Sequence, residues 1–499
     1  MVAHPLAHSL ACAALVAAPA AGAAAAQAPP FEKLAKVALE GTHHTALRHA
    51  DLDHDGLPDL AVALNYQSRI ELLRASAPAA YNAPALPVPL PTHPFGIALA
   101  DLNADGWLEL AATGDDGVFA LCAATGPFQY AAPLAYADVA TTSNSLVAAD
   151  LDNDGRSDFL QSHSTGFRVF IGLPGPSMFG LTPQSSGSAT LFNADVGDFD
   201  ADGLLDVVTA SNGGAASRLD VHLALGSGAF GPGQPLACGP DPAVHVGDID
   251  GDGLLDLVTS NYGAPSLSLL LGSGGGAFAA AIDLPLPIGN LYDFALADVD
   301  GNATLDAVVA SATGLAPLTI VQNHGASGFD VSTTELAPAV YALALPDLDL
   351  DGRPDLVTAG TASYVELFGN VLEGHGAWSA LGAGSKGTHG APKLVGSGPL
   401  TLGAPTSLHV SNGKSGAPAF LVFGAAPIAL PLLGATLYAA PDVVLGLGPL
   451  DVHGTWSNAF AWPSGIASGS TIAVQAWVVD AASASGLAAA SNGVLATVP

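Results

Sequence analysis

The stretch Asp248-Ile249-Asp250-Gly251-Asp252-Gly253-Leu254-Leu255-Asp256 puts four carboxylates within nine residues and then enters an apolar run. Carboxylates this close repel one another, so the arrangement asks for a positive charge among them. Numbered 1 to 9, the side chains at 1, 3, 5 and 9 are oxygen donors. Glycine at 6 permits a left-handed backbone, which turns the chain so that the carbonyl at 7 and the carboxylate at 9 converge on the same point. An all-oxygen cage suits a hard cation. Ca2+ takes about 6–8 oxygens in flexible geometry, whereas Mg2+ prefers fewer protein ligands and more water. Zn2+ would want His or Cys, and neither recurs at these positions.

The nonapeptide occurs seven times, at intervals of 50, 49, 48, 50, 50 and 49 residues. Its donors are Asp51, Asp53, Asp55 and Asp59; Asp101, Asn103, Asp105 and Glu109; Asp150, Asp152, Asp154 and Asp158; Asp198, Asp200, Asp202 and Asp206. The series continues with Asp248, Asp250, Asp252 and Asp256; Asp298, Asp300, Asn302 and Asp306; Asp347, Asp349, Asp351 and Asp355. These 28 donors include 26 of the chain's 44 acidic residues, so the formal charge of −32 is mostly a property of the loops. Seven bound Ca2+ ions would bring it to −18. With 12 Lys and Arg in all, the chain is unsuited to nucleic acid or an anionic membrane surface. The copies are unequal. Loop 2 carries Asn103 and Glu109 and is expected to bind still. Loop 6 carries Asn302 and puts Ala303 where glycine is expected, at a cost of about 1 kcal/mol for a left-handed Ala. The sixth site is therefore expected to be the weakest. An EF-hand or a dockerin-like loop would need flanking helices; the flanks here read as strands.

Positioning seven such loops requires seven copies of one unit. Each has a short apolar run before the motif ("FGIALA"), another after it ("DVVTAS"), a third with visible alternation ("PSLSLLLGSG") and a fourth leading onward ("FQYAAPLAY"). Runs of this length, rich in apolar and β-branched residues and punctuated by Gly, Pro, Asn and Ser, are strand signals. Four strands per unit and seven units predict an all-β, seven-bladed β-propeller. The seventh unit supplies only three strands, and residues 31–40 (FEKLAKVALE) are an unpaired strand candidate. They are expected to complete the last blade and latch the ring, covering two sheet edges at once.

The motifs resemble FG-GAP/VCBS repeats, whose relative best known in animals is the integrin alpha-chain β-propeller. Phe95-Gly96 precedes the strand leading into DLNADGWLE, Gly263-Ala264-Pro265 follows the strand after DIDGDGLLD, and LGSGAF (225–230) and LGSGGGAF (271–278) match the Gly-turn-Phe element. The resemblance covers residues 31–371. It implies Ca2+ held between the first two strands of a blade, loops on one face, and partners more often on the other.

Outside the repeats, residues 1–26 read as a signal peptide: LACAALVAAPAAGAAAAQA is apolar and small, and Ala24-Ala25-Ala26 fits a cleavage site, although no Lys or Arg precedes it. A secreted or cell-surface location follows. Residues 372–392 read as a linker. Residues 393–499 have short apolar runs without a calcium loop and predict a small β-sandwich. The uncharged stretch 415–441 is broken by Pro418, Pro427, Pro431 and Pro441, so buried strands are expected there and not a transmembrane span. Cys122 and Cys238 fall in different units and are expected to be buried free thiols. Trp477 is expected in a core; Trp456 and Trp462 flank a turn where a sugar could stack. No nucleophile elbow, HExxH, Walker loop or dinucleotide fingerprint occurs. The expected function is a non-enzymatic, calcium-stabilised module for adhesion, scaffolding or binding of an extracellular protein or glycan. A carbohydrate-binding lectin is the alternative, and a hydrolase or lyase on a propeller scaffold comes third.

Overall fold

Six repeats fold as four-stranded antiparallel meanders and the seventh as three strands joined by Phe31–Ala38, so seven four-stranded sheets are present among the described residues. The computed structural model describes residues 31–499 apart from 115, 138–142, 165, 174–178, 184–189, 213–216, 303, 312–317, 335–338, 350–352, 371–376, 381–391, 398–404, 412–413, 415–416, 426, 433–434, 440–442, 451–455, 462–469, 481–482, 484–487 and 498–499. The expected signal peptide at residues 1–26, Ala303, Asp351 and Trp462 lie outside the described residues.

Blade 5 is representative, with strands Pro242–Gly247, Asp256–Asn261, Ser266–Leu270 and Ile282–Pro285. The nonapeptide is the connection between its first and second strands. The first strands of the seven sheets are His44–Ala50, Pro94–Ala100, Ser143–Ala149, Thr190–Gly197, Pro242–Gly247, Leu291–Ala297 and Val340–Ala344. Each touches the next, and the last touches the first, so they form a closed cycle. Phe95 and Gly96 lie inside the strand Pro94–Ala100, not before it; a register shift between Pro94 and Gly96 accommodates them.

Second strands are buried along their length because both faces of a blade pack on a neighbour. In Asp59–Leu64 the alternation of side chains divides the work. Leu60, Val62 and Leu64 pack against Val357, Val365 and Leu367 of blade 7. Ala61 and Ala63 face Ile97, Leu110 and Ala112 of blade 2. The core is thus a series of interblade layers.

The latch is present. Phe31–Ala38 pairs antiparallel with Tyr364–Asn370, from Phe31 opposite Asn370 to Ala38 opposite Tyr364. Phe31 and Val37 are buried. Lys33 and Lys36 both bind the buried Glu366 carboxylate, Lys36 Nζ at 3.0 Å from Oε1.

The C-terminal residues form a five-stranded sheet built on Thr471–Val479, a three-stranded sheet and a two-stranded hairpin. Leu394, Leu408 and Val410 of the three-stranded sheet pack on Leu421, Val474, Ala476 and Val478 of the larger one. Its other face buries Trp477 against Val422, Leu437 and Ala439. The expected linker is not all linker: Ala377–Ala380 pairs with Val494–Thr497 as an edge strand of this sheet, whose last strand, Ala488–Thr497, has an open side there. The uncharged stretch forms strands Pro418–Gly424, Pro427–Leu432 and Ala435–Ala439. No helix among the described residues is long and apolar enough to cross a membrane.

Candidate metal-binding loops and the opposite face

The backbone of the nonapeptide is fixed by its own carboxylates. Both oxygens of the position-1 Asp accept backbone N–H groups across the turn: Asp51 takes those of Asp55 at 2.9 Å and Gly56 at 2.8 Å. Asp101, Asp150 and Asp198 repeat this pair of bonds. Glycine at 6 is left-handed, with φ of +86° at Gly253 and +90° at Gly56. Position 4 is also left-handed, at His54, Ala104, Asn153 and Ala201 as well as at Gly251 and Gly301, a feature that the residue types at this position do not signal. Position-1 hydrogen bonds hold those strained residues in place.

The position-9 carboxylate is a staple. Asp256 Oδ2 accepts from Ile249 N and Oδ1 from Gly272 N, both at 2.7 Å. The equivalent bonds occur at Asp59, Glu109, Asp158, Asp206, Asp306 and Asp355. These seven acids are fully or almost fully buried. Burial first, and the neighbouring carboxylates second, outweigh the N–H donors and push their pKa upward: to about 7 for Asp59, Glu109, Asp158 and Asp355, about 6 for Asp256 and about 8 for Asp306.

Position 3 points at the same spot. Atoms of Asp51, Asp53 and Asp59 lie within 4.8 Å of one another, as do those of Asp150, Asp152 and Asp158, of Asp198, Asp200 and Asp206, of Asp248, Asp250 and Asp256, and of Asp298, Asp300 and Asp306. Positions 1 and 9 each take two backbone N–H groups, whereas position 3 takes the N–H of position 5 alone from the backbone, at 3.3 Å for Asp53, 3.2 Å for Asp200 and Asp250 and 3.1 Å for Asp300. Asp152 Oδ1 is shut off from water with no hydrogen-bond partner, a cost a cation would remove. The donor set is all oxygen and anionic, and each stapled oxygen keeps a second lone pair, so the residues fit Ca2+.

Position 5 lies outside the triads, contrary to the equal weighting of four donors. Asp55, Asp105, Asp154, Asp202 and Asp252 are exposed and accept the N–H of position 7. In loop 2 the Asn103 amide donates to Glu109 Oε1 at 3.4 Å. In loop 6 Asn302 is turned away, donating to Asn323 O at 2.7 Å and accepting from Thr304 N at 2.8 Å. In loop 7 Asp355 Oδ2 accepts from Leu348 and Asp349 N.

Position 2 joins the loops to the ring. It is buried in every copy, at Leu52, Leu102, Leu151, Phe199, Ile249, Val299 and Leu348. Its carbonyl accepts from the next blade in four junctions: Phe199 O from Gly276 N, Ile249 O from Asn323 Nδ2, Val299 O from Asn370 Nδ2 and Leu348 O from Ala79 N, at 2.7–2.9 Å. The last of these crosses the closure between blades 7 and 1.

At the opposite ends of the strands the aromatic residues gather. Tyr262 and Tyr292 meet edge to face with centroids 6.2 Å apart, and Tyr292 and Tyr341 lie 4.6 Å apart. His43 stacks on Tyr341 at 5.9 Å and meets Tyr66 edge-on at 4.4 Å. This arc runs across blades 5, 6, 7 and 1, and Tyr66, Tyr262 and Tyr292 are exposed. Cys122 and Cys238 are free thiols, the first buried and the second half-buried; burial pushes both up to about 11. Trp456 is half-buried against the C-terminal core.

Fold and loops together define a repeat-built β-propeller protein with an acidic turn in each blade. The FG-GAP-like repeat family matches residues 51–112, 101–160, 198–259 and 248–309. A chain in the crystal structure of BBS1N in complex with ARL6DN is similar over 69% of this chain and 98% of that one, with a TM-score of 0.51 and 12% identity. That likeness is one of fold. The chain thus carries FG-GAP-like repeats over residues 51–160 and 198–309, on a fold of propeller form. No curated protein matches it.

Proposed function

We propose that this chain is a secreted, non-enzymatic, seven-bladed propeller with a C-terminal β-sandwich, in which Ca2+ stabilises the loops and the ring serves as a binding, adhesion or scaffold module for an extracellular protein or glycan. The carrying observation is the convergence of position 3 on two carboxylates already committed to the backbone. Positions 1, 3 and 9 would hold the ion, which supplies positive charge and no reaction step. Extracellular modules bind Ca2+ at roughly 10⁻⁴–10⁻³ M, which suits an exterior location. The test is thermal melting in Ca2+, in Mg2+ and in EDTA, with the metal content measured. Stabilisation by Ca2+ above that by Mg2+ is expected; an unchanged melt in EDTA with no metal found would refute the reading.

The glycan-binding alternative is favoured by one observation, the exposed aromatic arc on the face away from the loops. Tyr rings offer apolar faces with hydroxyl tips, a chemistry that suits sugar rings. A glycan array probed with wild type and Tyr292→Ala is expected to show binding that the variant loses. Equal signals from both would remove the arc from the account.

A further inference from the structure

One residue position decides what faces the position-3 carboxylate. It immediately precedes the N–H donor of the position-9 staple, and strand pairing carries it back over the loop. Its occupants in blades 1 to 7 are Arg74, Ala123, Ile171, Leu223, Leu271, Gln322 and Gly369. Five are apolar or small. The other two are hydrogen-bond donors, and both reach position 3. Arg74 Nη2 lies 2.5 Å from Asp53 Oδ2 and 3.9 Å from Asp55 Oδ2. The Phe128 ring of blade 2 lies 5.8 Å from its Cζ, so the guanidinium is braced by the next blade. Gln322 Nε2 donates to Asp300 Oδ2 at 3.4 Å, and His324 Nδ1 lies 3.9 Å from the same oxygen. Arg156, the arginine of loop 3, acts elsewhere: it pairs with Asp154 at position 5, at the exposed edge of its loop.

We infer that Arg74 is a built-in counter-ion of loop 1, and Gln322 its neutral counterpart in loop 6, so that these two loops stay formed without metal and bind Ca2+ more weakly than loops 4 and 5. The inference rests on the calcium reading above. A guanidinium on Asp53 neutralises one carboxylate of the triad and repels an incoming divalent cation, which must displace it. Leu223 and Leu271, at the same position in blades 4 and 5, bring neither charge nor donor to Asp200 and Asp250. The weak loops are then set by this preceding residue, and in loop 1 by it alone, since Asp51, Asp53, Asp55 and Asp59 complete the motif.

The test is a Ca2+ titration of the full chain, read by native mass spectrometry and calorimetry, with two substitutions of opposite expected sign. Arg74→Leu is expected to add one tight site, with an affinity gain on the order of tenfold, the scale of one charge at contact distance in a half-exposed site. Leu271→Arg is expected to remove one tight site. Hydrogen exchange in EDTA gives a second readout: residues 51–59 are expected to keep protection that residues 248–256 lose. Unchanged stoichiometry and affinity in both variants, with calcium bound by wild type, would overturn this inference alone. A wild type that binds no calcium would overturn the parent reading with it.

Discussion

The ring and the C-terminal sheets are made from the same material, short apolar strands with little charge, yet they are held in different ways. In the C-terminal region a pair of sheets presses face to face through Leu408, Val410, Leu421 and Val474, and Trp477 fills the far face. In the ring each blade touches its neighbours through thin layers, and the acidic loops connect blade to blade through the buried position-2 residue and its carbonyl. Sheet-on-sheet packing needs no ion. A ring whose junctions pass through clustered carboxylates carries a repulsion that packing cannot remove. The difference shows where electrostatic cost was admitted: only where the turn geometry that carboxylates enforce is needed seven times over.

This contrast can be broken most readily by chelation, which has the largest expected effect. Calorimetry is expected to show two transitions, only one of which moves when Ca2+ is replaced by EDTA. The shift should be large, since each loop saturated at 100-fold over its Kd contributes about 2.7 kcal/mol. A single transition, or two that move together, would mean that the ring and the C-terminal sheets are not held independently. The converse perturbation is Trp477→Ala, expected to cost about 3–5 kcal/mol, to lower only the calcium-insensitive transition, and to leave the bound metal count unchanged. The smallest effect sharpens the comparison within the ring. His44 is fully buried in the first strand of blade 1, and burial lowers its pKa from 6.5 to about 4. The unfolded chain therefore takes up a proton that the folded one refuses. Stability contributed above pH 6.5 is lost as pH falls toward 4, by about 1 kcal/mol at pH 5.5. Denaturant melts at pH 7.5 and 5.5 are expected to differ less in His44→Gln than in wild type.

Much of this was legible because it is local. Alternation gave the strands, and the interval between motifs gave the repeat. The missing fourth strand of the last unit pointed to Phe31–Ala38, and its pairing with Tyr364–Asn370 follows that reading. In five loops atoms of positions 1, 3 and 9 gather within 4.8 Å of one another, with position 5 at their margin. Ala377–Ala380 was hidden in Gly-rich sequence, because four residues carry no readable period and become a strand only when the open side of Ala488–Thr497 accepts them.

Residue order alone settled the repeating unit: its strand count, its turn chemistry and the charge each turn would hold. Those follow from periodicity two, from left-handed glycine and from carboxylate donors spaced along one loop. Which units differ, and what lies between them, was settled by packing in three dimensions. Arg74 reaches Asp53 because strand pairing brings the chain back over the loop, and Tyr262, Tyr292 and Tyr341 meet because successive blades present equivalent ends side by side. Contacts between residues one repeat or one hairpin apart depend on register and closure, and no local propensity encodes those distances.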